Sequence, residues 1–341
     1  MLRYGRIFFK DVKWRRVQRQ VCMNILLKLL LLFGVISSFA VTAEVKNEPI
    51  GPLAHDPGLD ARLVSLGDKL FHDTRLSQDN SISCSSCHML SSGGTDDKKN
   101  SVGVGGRVGN IKAPTVFNTR YNFVHFWDGR AQTLEEQAPG PVHNPIEMNS
   151  NWEEVISKLS KDPAIMQAFE ELFDDGVTGE NIAAAIAAFE RSLVTVNSRF
   201  DRWLKGEERV LTNQELRGYR LFKSYGCVSC HQGVNVGGNM FGIMGAKGDY
   251  FKDRRQQITT ADLGRYNVTK LNEDKHYFKV PSLRLAAINP PYFHDGSEPT
   301  LEGAIRIMGR YQLGREIPAD DIEAIESFLY TLVGEHIRLK P

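Results

Sequence analysis

What the chain lacks narrows it first. Of its 341 residues only five are cysteine. Cys22 lies near the N-terminus and the other four sit in two pairs, so no thiol remains for a structural disulfide. No apolar run reaches the roughly 20 residues that a membrane-spanning helix needs. Strand-type alternation is scarce, which points to a mainly α fold. Nor is the body basic. Residues 1–43 hold eight of the 42 Lys/Arg and one of the 41 Asp/Glu, leaving 34 basic and 40 acidic side chains after them, a net charge of about −6. That balance argues against nucleic acid as a partner. The Gly-rich stretch Gly237 to Gly248 lacks the strand-then-helix context of a nucleotide fingerprint, so it receives no phosphate role.

The first 43 residues read as a secretory signal peptide. Arg15, Arg16 and Arg19 precede the apolar run Leu26 to Phe39, which Lys28 interrupts, and Val41-Thr42-Ala43 supplies a small-residue cleavage site. Met23 is an alternative start, since Met23 to Ala43 is itself a compact signal. An uncleaved anchor is the competing reading, opposed by the shortness of the run. Export places the mature chain in the periplasm.

Two runs then carry chemistry: Cys84-Ser85-Ser86-Cys87-His88 and Cys227-Val228-Ser229-Cys230-His231. C-x-x-C-H is the attachment signal for c-type haem, with two thioethers to the porphyrin and the histidine as iron ligand. A thioredoxin-like pair or half a zinc site explains one such run less well, and two copies, each followed by His, hardly at all. The expected cofactors are therefore two covalently bound haem c groups.

The chain around them repeats. Gly67-x-x-Leu70-Phe71 precedes the first run and Gly218-x-x-Leu221-Phe222 the second. Lys112-Ala113-Pro114 matches Lys279-Val280-Pro281, Trp127-Asp128-Gly129 matches His294-Asp295-Gly296, and Thr133-Leu134-Glu135 matches Thr300-Leu301-Glu302, all at an offset of 167 positions. The reading is two tandem class-I cytochrome c-like domains, 44–205 and 206–341. Helical periodicity is expected over 59–71, 152–173, 181–204, 213–225 and 319–333, and Ser91 to Gly109 is expected to be a loop beside the first haem.

The two iron sites are expected to differ, one saturated for electron transfer and one open for chemistry. Met308 is placed to ligate the second iron, with Met240 and Met244 as alternatives. In the first half Glu147 could move a proton between peroxide oxygens, although a solvated Glu at a helix start is the common case. Trp127, where the other half has His294, either carries an electron or packs between the halves.

Gly93-Gly94-Thr95-Asp96, Phe126-Trp127-Asp128-Gly129-Arg130, Leu134-Glu135-x-Gln137-Ala138, Pro145-Ile146-Glu147-Met148 and Tyr292-Phe293-His294-Asp295-Gly296 resemble the bacterial dihaem cytochrome c peroxidase family. The resemblance covers nearly the whole chain after the leader. It implies a peroxidatic first haem with His88 as proximal ligand and Gln137 and Glu147 in the distal pocket. It also implies a second, electron-entry haem ligated by His231 and Met308, with Trp127 between the two. The implied reaction is reduction of hydrogen peroxide to water by electrons from a cytochrome c or a small copper protein, in a homodimer. Two departures stand out. Many members carry a ligating His in the loop after the first haem, where this chain has Gly103-Val104-Gly105; the first haem is then open at rest, unless His125 or His143 takes over. The family also binds calcium through an Asn where this chain has Lys112, so either Asn110 substitutes or the lysine charge replaces the ion. A dihaem electron carrier and a dihaem oxygenase modifying a partner protein are the alternatives. A carrier has no need of Gln137 or Glu147, and Met308 disfavours the oxygenase.

Overall fold

A computed structural model describes residues 45–54 and 58–340, so the expected signal peptide at 1–43 lies outside the described residues. The repeated Gly-x-x-Leu-Phe segments sit on helices α1 (Ala61–Phe71) and, later, α6 (Asn213–Tyr225). Between them come α2 (Trp152–Leu159), α3 (Pro163–Glu170), α4 (Gly179–Ser192) and α5 (Arg199–Leu204); α7 (Leu301–Met308) and α8 (Ala319–Tyr330) follow. A side-chain carbon at Gly67 would collide with the Ala185 carbonyl of α4, and one at Gly218 with the Ala324 carbonyl of α8. Glycine is thus what lets α1 cross α4, and α6 cross α8, at backbone contact.

Most of these helices begin where a side chain caps them, α8 after Pro318 being the exception. Asp60 accepts from Arg62 N–H at α1, Thr178 from Asn181 N–H at α4, and Thr212 with Glu215 forms a reciprocal box at α6. The helix expected over 152–173 is two helices. Pro163 cannot continue an α-helix but suits a first turn, and the Asp162 carboxylate caps the new start through Ala164 N–H at 3.0 Å. The helix expected over 181–204 likewise stops at Ser192 and restarts at Arg199, with Ser198 as the new cap. The strands are short: β1 (Phe241–Ile243) pairs antiparallel with β2 (Tyr277–Lys279), Phe241 opposite Lys279.

Leu66, Leu70, Ile182, Ala185 and Ile186 form the core between α1 and α4; Phe222, Ile322, Ile325 and Phe328 form its counterpart between α6 and α8. Burying each large side chain contributes about 1.5–3 kcal/mol. The ends of the described chain cross over. Ile50 and α5 residues Phe200 and Leu204 pack in the core with α6 and α8. The fully buried Arg284 guanidinium ties that arrangement together through Asp201 (2.9 Å) and the Gly51 and Val234 carbonyls (2.9 Å each). At the other end Leu339 packs with Phe71 and Phe189, and Lys340 N–H reaches the Ser91 carbonyl.

The matched positions take matched backbones. Phe126 and Phe293 both have positive φ, 65° and 71°, as do Asn118 and Leu285, 62° and 64°. His125 bridges Ala131 as Tyr292 bridges Glu298. The contacts between halves are reciprocal: Lys112 N–H donates to the His294 carbonyl and Lys279 N–H to the Trp127 carbonyl, both at 2.8 Å. Among the described residues no helix is long and apolar enough to cross a membrane.

Candidate functional site

Both C-x-x-C-H runs open onto one cavity of about 900 Å³. Cys84, Cys87 and His88 line it from one side and Cys227, Cys230 and His231 from the other. Each histidine is oriented by the chain that follows it. His88 Nδ1 lies 3.2 Å from the Gly94 carbonyl and His231 Nδ1 3.3 Å from the Val236 carbonyl, which leaves Nε2 as the ligating atom of each ring. Burial lowers both imidazole pKa values, His231 to about 4, so both are neutral and ready to ligate. Burial raises the Cys84 thiol to about 12 and Cys227 to about 11, so neither is a reactive thiolate at neutral pH. Two thiol pairs, two pre-oriented imidazoles and a largely apolar cavity suit two c-type haems.

The remaining expected site residues also line this cavity: Trp127, Gln137, Glu147 and Met308. Gln137 ends the helix Leu134–Gln137, and Met308 ends α7, followed by a π-helical turn Gly309–Leu313. Met244 lines the cavity as well, whereas Met240 does not. Trp127 Nε1–H donates to the Lys112 carbonyl at 3.0 Å, and its ring meets His294 edge-on at 6.4 Å. Glu147 is held by Asn144, whose Nδ2 donates to Oε1 at 2.6 Å. Burial raises the Glu147 pKa, against the opposing effects of that bond and of Arg130.

The loop expected over 91–109 closes on Glu147. Val104 N–H donates to the Glu147 carbonyl at 2.8 Å, Arg107 to the Pro145 carbonyl at 2.7 Å, and a side chain at Gly103 would strike the carbonyls of Ile146 and Glu147. Val104 itself is buried and has no ligating atom. Of the two substitute histidines, His125 lines the cavity, with its pKa lowered to about 4 by burial, Lys279 and Arg191. His143 does not line the cavity: it is exposed, its ring against Trp152.

Lys112 is 4% exposed. Its ammonium bonds Thr95 Oγ1 at 2.9 Å, Asp96 Oδ1 at 3.2 Å and the Asp96 carbonyl. Asn110, the other candidate at this place, is exposed. The one group of three metal-capable side chains among the described residues is Asp262, His294 and Asp295, and Arg254 already bonds both carboxylates, at 2.9 and 2.7 Å.

Three cavity residues escaped the sequence reading. Pro141 stands 167 positions before Met308 and offers no ligand, and Ala304 is the counterpart of Gln137. Glu190 on α4 corresponds to Leu329 on α8, by the offset that relates Ala185 to Ala324. Burial pushes the Glu190 carboxyl up to about 8, so it is neutral at pH 7. Extending the 167-residue offset beyond position 135 would have found Pro141 and Ala304, whereas Glu190 pairs with Leu329 only at the different offset that the helix crossings reveal.

Residues 61–209 match the family described as di-haem cytochrome c peroxidase. The chain is 51% identical over 292 residues to the cytochrome c peroxidase Ccp of Escherichia coli (strain K12), spanning 85% of this chain but only 62% of that protein's length. It is 46% identical over 290 residues to the cytochrome c551 peroxidase of Nitrosomonas europaea, covering 85% of each. The crystal structure of a MauG-like protein associated with microbial copper homeostasis superposes with a TM-score of 0.74 at 28% identity, over 87% of this chain and 96% of that one.

Proposed function

The chain belongs to the di-haem cytochrome c peroxidase family, and we propose on that premise that it reduces hydrogen peroxide to water in the periplasm. Electrons come from a cytochrome c or a small copper protein, and the working form is a homodimer. Each peroxide takes two electrons and two protons to give two waters. The observation that carries the reading is the contrast within one cavity: Gln137, Glu147 and Pro141 in the first half against Ala304 and Met308 in the second. Two haems, which Cys84 and Cys87 and Cys227 and Cys230 would hold, would supply the redox chemistry for peroxide reduction and the path for electrons.

The chain's own residues supply the rest. His88 and His231 would each ligate one iron through Nε2. Met308 would be the further ligand of the second iron and would favour its reduced form. Pro141 and Val104 carry no ligating side-chain atom, so the first iron would be open without prior reduction. The Glu147 carboxylate, steadied by Asn144 through one oxygen, takes the peroxide proton and returns it to the leaving oxygen. Gln137 orients peroxide by hydrogen bonding. Trp127, edge-on to His294, would carry electrons between the haems. The Lys112 ammonium supplies the positive charge that calcium gives other members, since a cation shell cannot include it.

Glu147 must be ionised to act as base, so turnover falls as pH drops through its pKa, and burial places that fall above the ordinary carboxyl range. Glu147→Gln should lower peroxide turnover at least about 100-fold and leave both haem spectra nearly intact. Surviving turnover would show that another group moves the proton.

A further inference from the structure

Lys112 and Lys279 are equivalent in the repeat and mirror each other in the backbone, yet their side chains meet different surroundings. Lys112 is neutralised by Asp96. The loop that supplies Asp96 follows Gly94, the partner of His88; its counterpart follows Val236, the partner of His231, and reads Gly237-Gly238-Asn239, with no carboxylate.

Lys279 is 8% exposed and lines the cavity. No hydrogen bond or ion pair joins its ammonium to any described residue. Asp128, the acid whose charge it feels, is already held by Arg130 at 3.0 Å. His125, which faces it from the first half, is neutral and offers no countercharge. Burial lowers the Lys279 pKa to about 8, a measure of how little the protein compensates it. An ammonium buried without a partner costs several kcal/mol. The charge therefore suits an anion inside the cavity; Phe241, opposite Lys279 in the strand pair, belongs to the second half and carries no charge, and the groups whose backbone or charge Lys279 meets, Trp127, Asp128 and His125, belong to the first.

We propose that Lys279 is a positioning residue reaching from the second half to ion-pair with a propionate carboxylate of the haem held by Cys84, Cys87 and His88. This rests on the two-haem reading above. The pair crosses the boundary between halves, so it couples the fit of the halves to the electronics of the peroxidatic haem. A positive charge near a haem stabilises the form carrying the extra electron, so its removal lowers that haem's potential.

The test is a reductive titration of the full-chain holoprotein, followed by electron paramagnetic resonance so that the two irons are read separately, with haem content measured on the same samples. Lys279→Met should weaken the first haem's electron affinity about tenfold, or about 59 mV for a one-electron couple, and leave the second haem unmoved. Lys279→Arg should restore the wild-type value. Lys279→Gln carries the same expectation as Met should the Met protein not accumulate. An unmoved first haem in a neutral variant carrying two haems, or a shift confined to the second haem, overturns the proposal. Fewer than two haems per wild-type chain would instead defeat the two-haem reading.

Discussion

Position 112 and position 279 hold the same residue on the same backbone, and position 190 and position 329 face the same kind of cavity from the same kind of helix. Around these pairs the halves diverge through few side chains. The first half surrounds its lysine with Asp96 and Thr95, places the Glu190 carboxyl against the cavity and puts Pro141 where the second half has Met308. The second half gives its lysine no partner among the described residues, and lines the cavity with Leu329 and the Met308 thioether. The scaffold, set by Gly67 and Gly218 at two helix crossings, is insensitive to these exchanges. On the proposed reading, a handful of side chains near the cavity separate an open iron from a saturated one.

The largest effect expected from breaking this comparison is at Lys112. Lys112→Met leaves Asp96, 3% exposed, as a buried charge without its ammonium, and should cost about 3–5 kcal/mol in thermal or denaturant unfolding. Adding Asp96→Asn should recover much of the loss, because both charges then leave together. The neutral Lys279 variants should destabilise far less, and equal losses at the two lysines would erase the contrast.

A smaller effect is expected at Glu190. Its folded pKa of about 8 lies above the ordinary carboxyl value, so the folded chain binds this proton more tightly than the unfolded chain. The stability it confers is full below about pH 4 and is lost as pH rises through about 8. Glu190→Leu, the second half's own solution, should flatten that slope by on the order of 3 kcal/mol between about pH 5 and pH 8, read from unfolding midpoints across pH. An unchanged slope would mean the carboxyl is compensated inside the holoprotein.

Much of this was legible in the sequence because its signals are local. The helix at Asn213–Tyr225 has the bounds read from the sequence, and all ten expected site residues line the cavity. The misses are non-local or compete with periodicity. Apolar spacing runs straight through Asp162-Pro163, where cap and ring chemistry split one helix into two. No local pattern says that Ile50 packs with α6 and α8, or that Lys112 finds Asp96. Glu190 is hidden by its setting, a single acid on the buried face of an Ala-rich helix that reads as core.

The most direct test of the central claim is an electron paramagnetic resonance spectrum of the fully oxidised full-chain protein, with peroxide turnover measured on the same sample. A high-spin ferric signal beside a low-spin one, with immediate turnover, is the expected result: an open first iron beside Pro141 and Val104 and a saturated second iron with Met308. Two low-spin signals, with turnover only after one-electron reduction, would contradict it and point to a resting ligand such as His125. Two low-spin signals and no turnover under any condition would make the chain an electron carrier.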